Sequence, residues 1–394
     1  MSEQLRVDIE WCRYPFQLVP DDDMLRFPAA EGQHPDHESD TWFIAGELNG
    51  TSGRSFAFLT IFNKNRPGGS VVADFYTMAL FDCDTGTYGT YTDYDMPPAN
   101  LKRSGPPKLA AATGHLDLSY NGGVGTAVWT TCRGSDGQLL PYTYRVNLVG
   151  VDQAGQLMQL ELDVTPTRAP VPVGASRYHG KIACFGQPDT YSYFQTRMAM
   201  TGTLRWGELR EQVSGDAGHV DRQWFPKYAG GGGTGGDPRA RSHEWRTINL
   251  DNGIDLSIWR QFDRTNSNAL QPFSGVTVSY PDSPPDCFED VEVNVDTYVR
   301  WPDSVRPLIP PLSAVRYMPD RHRLSCAALQ LELTGEPLVA APAHSLPIEY
   351  MEGPYHYQGT LRGEAVGGFG FYERSLALYR EWELDEVRAL DQRS

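Results

Sequence analysis

Residues 41–62 read TWFIAGELNGTSGRSFAFLTIF, and this stretch decides the fold. Its two runs, Thr41–Leu48 and Ser55–Phe62, are rich in the aromatic and β-branched residues that favour strands. Between them lies Asn49-Gly50, a hairpin signal, because both residue types tolerate a positive φ. The stretch therefore predicts two antiparallel strands joined by a tight turn.

The same pattern repeats along most of the chain. Helix is predicted only over Leu376–Leu390. Because strands do not alternate with helices, we predict an all-β antiparallel fold, closed as a barrel or a sandwich. The further predicted strands are Ser70–Phe81, Gly125–Thr131, Tyr142–Leu148, Gln156–Val164, Thr196–Leu204, Ile254–Phe262, Gly275–Tyr280 and Val291–Val299.

The chain has 394 residues, which is long for a single hydrophobic core. A polar, proline-rich passage, Pro166–Pro188, separates two strand-rich halves. We therefore predict an N-terminal domain over residues 1–187 and a C-terminal domain over residues 188–394.

Charge and hydropathy restrict the partners. The formal net charge is −16 and the basic residues are scattered, so we expect no nucleic-acid partner. No run approaches the ~20 apolar residues that span a bilayer, and residues 1–16 lack the pattern of a secretory signal. We expect a cytoplasmic protein without stable membrane insertion.

The six cysteines have no CxxC spacing, which favours free thiols. The sequence leaves the oligomeric state open.

The densest group of chemically active residues is Gly218–Trp224, which reads GHVDRQW. On a strand, His219, Asp221 and Gln223 share one face, and the intervening residues share the other. Burial in an apolar barrel mouth raises the pKa of a carboxyl group, so Asp221 and His219 are candidate catalytic residues for proton transfer. A buried Asp-Arg pair that only fixes the strand is the alternative, and residue types alone leave both open.

Other motifs give weaker indications. Gly230–Gly236 is followed by no Lys-Ser/Thr pair, so it predicts a flexible loop rather than a phosphate-binding loop. His34–Asp40 contains several metal-ligand types but no zinc signature, and we expect no metal. His243 starts a strand or contributes to a pocket rim. The sequence contains no GxSxG motif, so we do not expect a serine hydrolase.

Four blocks, in this order, resemble the family that contains carotenoid 1,2-hydratase, the AttH-like proteins and the "predicted secreted hydrolases". The resemblance spans most of the chain. The blocks are Phe27–Pro35 with Thr41–Leu48, then Tyr191–Arg197 with Gly202–Leu204 and the run HVDRQW, then Leu346–Gly353 (LPIEYMEG), then Gly368–Glu373 (GFGFYE).

The resemblance implies two lipocalin-like antiparallel β-barrel halves packed together, with a hydrophobic pocket at or between them. It implies reactions that use no cofactor and no metal: hydration of an isolated alkene, or cycloaddition as in the fungal decalin-forming cyclases. It also implies that Asp221 is the proton donor. Two departures, His219 in place of a Trp or Tyr and Met351 in place of a Trp, point away from a carotenoid substrate.

Together, residues and resemblance predict a hydratase or cyclase that protonates a carbon-carbon double bond of an isoprenoid or polyketide-like substrate. Aromatic faces would stabilise the cation. A pericyclase and a non-catalytic carrier of a lipophilic ligand are the alternatives. The predicted substrate-binding residues are Tyr193, Gln223, Trp224, Trp245, Trp259, Glu349 and Tyr350.

Overall fold

The computed structural model describes residues 25–66, 72–95, 106–184, 190–227 and 237–392. The glycine-rich segment Gly230–Gly236 and the first cysteine, Cys12, lie outside these ranges. The five cysteines within them are free. No helix in the described ranges is long and apolar enough to cross a membrane.

The first sheet is antiparallel and contains 14 of the described strands. They are β1 (Ser39–Gly50), β2 (Ser55–Asn65), β3 (Asp74–Asp82), β4 (Thr87–Asp95), β5 (Leu109–Ala111), β6 (Asp117–Asn121), β7 (Thr126–Arg133), β8 (Leu139–Val151), β9 (Leu157–Pro166), β10 (Val171–Pro172), β11 (Tyr191–Thr196), β12 (Met198–Trp206), β13 (Leu209–Gly215) and β14 (Gly218–Phe225).

Strand β1 organises this sheet. It pairs with β2 along its whole length on one side, and with β14 and then β13 on the other. The strand runs to Gly50, so the hairpin turn falls on residues 51–54, with Gly53 at φ 86°, instead of on Asn49-Gly50. Asn49 is held in the ladder because it pairs with both Ser55 and Ser214.

The second sheet has 11 described strands and a small third sheet has three. The second contains β15 (Arg241–Leu250), β16 (Asp255–Asp263), β17 (Ala269–Leu270), β18 (Gly275–Ser279), β19 (Asp286–Phe288), β20 (Val291–Val295), β23 (His322–Cys326), β24 (Leu331–Pro337), β25 (Ala343–His344), β26 (Tyr350–Leu361) and β27 (Glu364–Ser375). The third contains β21 (Tyr298–Arg300), β22 (Arg316–Pro319) and β28 (Leu378–Tyr379).

Helix is scarce in the described ranges. The α-helices are α1 (Ala175–Tyr178) and α2 (Leu384–Asp391), and single 3₁₀ turns cover Ala29–Glu31, Pro238–Ala240 and Arg264–Asn266. The C-terminal helix starts later than Leu376 because Leu378–Tyr379 pairs with β22 as a strand. The all-β prediction is confirmed: two antiparallel sheets each curl into a nearly closed barrel.

Alternation along β1 shows where the cores lie. Trp42, Ile44 and Leu48 point into the first barrel, whereas Phe43 and Ala45 point out of it, into an apolar layer shared with the second half. The second barrel has its own core around Ile248, and the shared layer forms the seam between the halves.

The first sheet does not end at residue 187, since β11 to β14, residues 191–225, hydrogen-bond into it. Sheet membership does not define an independently folding unit, so the division into residues 1–187 and 188–394 stays a prediction.

Candidate active site

A cavity of about 160 Å³ lies in the seam between the two halves. The first sheet lines it with outward-facing side chains of β1, β2, β3 and β14, and the second half lines it from β15, β26, β27 and the segment 346–348. Its walls are mostly apolar, formed by Phe43, Ile61, Phe75, Phe225, Leu346 and Ile348. Two carboxyl groups, those of Asp221 and Glu373, reach it from opposite sheets.

Asp221 is the acidic group that the first sheet contributes. Ser192 Oγ donates to Oδ1 at 3.0 Å, and Gln223 Nε2 donates to Oδ2 at 2.7 Å. Burial raises the pKa of Asp221 to about 7, with a smaller contribution from the negative charge of Glu373, and the two donated hydrogen bonds oppose the rise. No lysine or arginine of the described ranges forms an ion pair with it. A carboxyl group with this pKa is protonated in about half of the molecules at pH 7.

Glu352 and Glu373 form a carboxyl pair in the second sheet. They lie directly opposite each other on β26 and β27. Tyr350 donates from its hydroxyl to Glu352 Oε2 at 2.8 Å. Burial, followed by the charge of Glu373, raises the pKa of Glu352 well above its usual range. Glu352 therefore binds a proton more tightly than an ordinary glutamate.

His243 fixes the position of Glu373. Its Nε2 lies 2.5 Å from Glu373 Oε1, and its Nδ1 lies 2.9 Å from Ser375 Oγ. The backbone N–H of His243 also donates to Ser375 Oγ, so the serine hydroxyl is free to donate to Nδ1. In the tautomer with its proton on Nε2, the imidazole donates to Glu373 while Nδ1 accepts from Ser375.

The cavity thus places a protonated carboxyl group and a second carboxyl group against apolar and aromatic walls. Such a site can transfer a proton to an apolar molecule and accept one from a nucleophile. No group of three or more His, Cys, Asp or Glu side chains in the described ranges is arranged to hold a metal ion.

Three predicted site residues meet at this cavity: Asp221, Gln223 and Tyr350. The strand alternation predicted for Gly218–Trp224 is observed. Arg222, on the opposite face, pairs with Asp40 at 3.0 Å inside the first barrel. Arg222 is therefore not a partner of Asp221, and the alternative of a buried Asp221-Arg222 pair that only fixes the strand does not apply.

His219 lies on the same side of β14 as Asp221 but behind the cavity wall. Its ring stacks on Phe194 with centroids 5.8 Å apart and lies 6.5 Å from the ring of Trp245. Neither ring nitrogen has a hydrogen-bond partner in the described part of the chain, and burial lowers the pKa of His219 to about 3. The ring is neutral, and its catalytic role stays a prediction.

The other predicted aromatic residues lie at different depths. Trp224 and Tyr193 belong to the core of the first barrel, with ring centroids 6.2 Å apart. Trp245 and Trp259 pack together behind His243, and the ring of Trp259 is 5.0 Å from the imidazole. Trp245 and Trp259 thus lie next to a cavity-lining side chain, that of His243, whereas Tyr193 and Trp224 lie in the barrel core.

Glu349 points away from the cavity. Its carboxyl group accepts a hydrogen bond from the hydroxyl of Tyr379 and lies 3.1 Å from Arg316 Nη1. Burial raises its pKa. Glu352, on the other side of Tyr350 in the sequence, is the glutamate that lies opposite Glu373.

Sequence reasoning did not select Glu373 or Ser192, and it left His243 between two interpretations. Glu373 falls in the block GFGFYE, but its importance depends on a register that places it opposite Glu352. Ser192 belongs to the block Tyr191–Arg197, and it pairs with Gln223 across β11 and β14. The one available signal was that Glu373 ends a family block.

Comparison with known proteins gives a family and a fold. The family model described as AttH-like matches residues 18–373. None of the curated proteins compared with the chain matches it.

Two solved structures are similar over nearly their whole length. One is a protein of Nitrosomonas europaea assigned as an AttH, with 18% identity and a TM-score of 0.63, and the match covers 91% of this chain and 99% of that one. The other is kievitone hydratase from Nectria haematococca, with 12% identity and a TM-score of 0.63, covering 92% of this chain and 98% of that one. Identities this low show a shared fold.

Proposed function

The chain belongs to the AttH-like family, and from this premise we propose that it is an enzyme that protonates a carbon-carbon double bond of a hydrophobic small molecule. Asp221 is the proton donor, and the reaction uses no cofactor. Capture of the resulting carbocation by water makes the protein a hydratase, and capture by a nucleophile within the substrate makes it a cyclase. The partner is an isoprenoid or polyketide-like molecule of the cytoplasm.

The observation that carries this proposal is the state of Asp221. An ordinary carboxyl group is ionised at neutral pH and cannot donate a proton. Burial raises the pKa of Asp221 to about 7, near the working pH at which a general acid is most effective. The cavity that it faces is mostly apolar, which suits an alkene rather than a charged substrate.

The walls of the cavity also suit a carbocation intermediate. Phe43, Phe75, Phe225 and Tyr350 line the cavity, and the faces of aromatic rings attract cations. Two carboxyl groups nearby lower the energy of a positive charge that develops between them. The shared fold with a protein named as a hydratase gives further support.

The test compares the wild-type protein with Asp221→Asn and with Glu31→Gln. Glu31 is a matched control because burial raises its pKa to about 8, yet it lies in the first barrel and accepts a hydrogen bond from Tyr144. Each protein is incubated with kievitone, and separately with an acyclic carotenoid, in 18O-labelled water, and products are analysed by mass spectrometry.

A hydratase incorporates 18O with the wild-type protein and with Glu31→Gln, while Asp221→Asn is slower by roughly 10²–10⁴-fold, the usual contribution of a general acid. A cyclase gives an unlabelled isomer that also depends on Asp221. An isomer that forms equally fast with Asp221→Asn identifies a pericyclase. A hydrophobic ligand retained in native mass spectrometry but never altered identifies a carrier.

A further inference from the structure

The carboxyl pair Glu352 and Glu373 has no evident structural reason. Like charges directly opposite each other destabilise an antiparallel pair of strands. Both groups are largely buried, with Glu352 2% exposed and the Glu373 side chain 15% exposed. In the described ranges, His243 is the one basic residue within ion-pair distance of Glu373, and no lysine or arginine pairs with either glutamate. Two such groups are stable when they hold one proton between them.

The surroundings show which glutamate holds that proton. Glu352 is the deeper of the two, and burial raises its pKa despite the opposing hydrogen bond from Tyr350. Glu373 lines the cavity, and its Oε1 lies 2.5 Å from His243 Nε2. In the imidazole tautomer that carries its proton on Nε2, Glu373 accepts this hydrogen bond, and such a bond favours the charged form of a carboxyl group. Glu373 is therefore the member of the pair that is placed to act as an acceptor, and it faces the same cavity as Asp221.

We propose that Glu373 is the proton acceptor for the nucleophile that captures the carbocation. This inference rests on the proposed function and assigns a second catalytic residue to the same site. It also explains why the pair is tolerated: Glu352 stays neutral, so Glu373 can be negative in an apolar seam.

Every proton in the proposed hydration is accounted for. Asp221 gives its proton to one alkene carbon and becomes a carboxylate, and the other carbon becomes a cation. Water forms a C–O bond to that cation, and the proton that it loses goes to the Glu373 carboxylate. The product is the alcohol, and transfer of the proton from Glu373 back to Asp221 restores the starting state. His243 and Ser375 are positioning residues, since they fix the acceptor without touching the substrate.

The first measurement needs no substrate. Infrared spectra of the full-length wild-type protein and of Glu373→Gln are compared at pH 7. We expect the variant to lose a carboxylate band. The protonated bands of Asp221 and Glu352, identified with Asp221→Asn and Glu352→Gln, lose intensity because the charge of Glu373 contributes to their raised pKa values. Loss of a protonated carboxyl band that belongs to neither of these residues would overturn the proposal, because a protonated Glu373 cannot accept a proton.

The second measurement separates proton donation from proton acceptance. Kievitone and an acyclic carotenoid are each incubated in D2O with wild type, Glu373→Gln, Asp221→Asn and the control Glu31→Gln. In Glu373→Gln, Asp221 still delivers deuterium, but without an acceptor the cation reverts, so recovered alkene carries deuterium while hydration falls by roughly 10²-fold or more. Asp221→Asn loses both the deuterium and the hydration.

A residue with a merely structural role does not produce this split. If Glu373→Gln hydrates as fast as wild type, or loses deuteration together with hydration, Glu373 is not the acceptor. If the wild-type protein deuterates neither probe, neither compound is its substrate, and the infrared measurement decides the role of Glu373. The two failures are therefore distinguishable.

Discussion

At the scale of single residues, the acid depends on its two hydrogen-bond donors. Ser192 and Gln223 both donate to Asp221, and such bonds favour the charged form of a carboxyl group. Burial acts in the opposite direction and is the stronger influence. The pKa of about 7 is therefore a balance that a single substitution can move.

Replacing Gln223 by leucine shifts this balance upward. The donated bond is lost, so the pKa of Asp221 rises above about 7. Because only the protonated acid works, wild-type activity falls as pH rises through about 7, and in Gln223→Leu it falls at a pH higher by roughly one unit. A pH-rate profile measures the shift. Gln212→Leu, an exposed change on β13, serves as control, and an unmoved or lowered alkaline limb would contradict the account.

Much of this residue-level pattern is visible in the sequence. The alternation of Gly218–Trp224 is sufficient to place Asp221 and Gln223 on one face, opposite Arg222. It does not show that Tyr193 and Trp224 fill a barrel core, since an aromatic side chain in a core and one in a cavity wall have the same local pattern. Glu373 was missed because its environment comes from a partner strand and from the other sheet.

At the scale of elements, close contact between β15 and β27 positions His243 against Glu373. Gly370 on β27 pairs with Ile248 on β15, and a Cβ atom at Gly370 would lie 2.0 Å from the carbonyl oxygen of the preceding residue, Thr247. A backbone oxygen cannot move aside as a flexible side chain can. The two strands must separate to admit any side chain there.

We therefore expect Gly370→Ala to lower the free energy of unfolding by about 1–3 kcal/mol, the usual range for overpacking, and to reduce turnover. Gly367→Ala is the matched control in the same strand, since its Cβ would have its nearest neighbour at 3.5 Å. Urea unfolding and rate measurements on both variants test this. Equal stability of the two would show that the contact has no such effect.

Most elements were predictable, but their breaks were not. The predicted strand Thr196–Leu204 is part of two strands, β11 and β12, separated at Arg197, which has a φ of 57°. Arg197 Nε donates to Asp255 Oδ1 of the second sheet at 2.8 Å. A long-range contact therefore accompanies the break, and hydrophobic alternation along one segment cannot reveal it.

At the scale of the whole molecule, the seam joins the two barrels into one structure. Phe81 of the first sheet is fully buried and packs edge-on against Phe371 of the second, with ring centroids 6.1 Å apart. Thr90 Oγ1 lies 2.8 Å from His344 Nδ1 across the same seam. Neither half can unfold without exposing apolar surface of the other.

We therefore expect a single unfolding transition, in which fluorescence and circular dichroism change together. Phe81→Ala removes a buried ring and should lower the free energy of unfolding by about 3–5 kcal/mol without dividing the transition. Leu140→Ala, at a side chain 39% exposed in the first half, is the control. Two separate transitions, or a Phe81→Ala effect confined to one probe, would show that the barrels are independent.

The cavity uses the outer faces of the two sheets and leaves the barrel interiors as ordinary cores. Natural selection, or a designer of mutant libraries, can thus alter substrate preference through outward-facing positions such as Phe75 and Ile348 without hollowing out either core. Under the proposed function, variation at the seam changes what is bound, while variation inside the barrels changes how much folded protein a cell accumulates. Such a separation would let one scaffold serve many substrates over its evolutionary history.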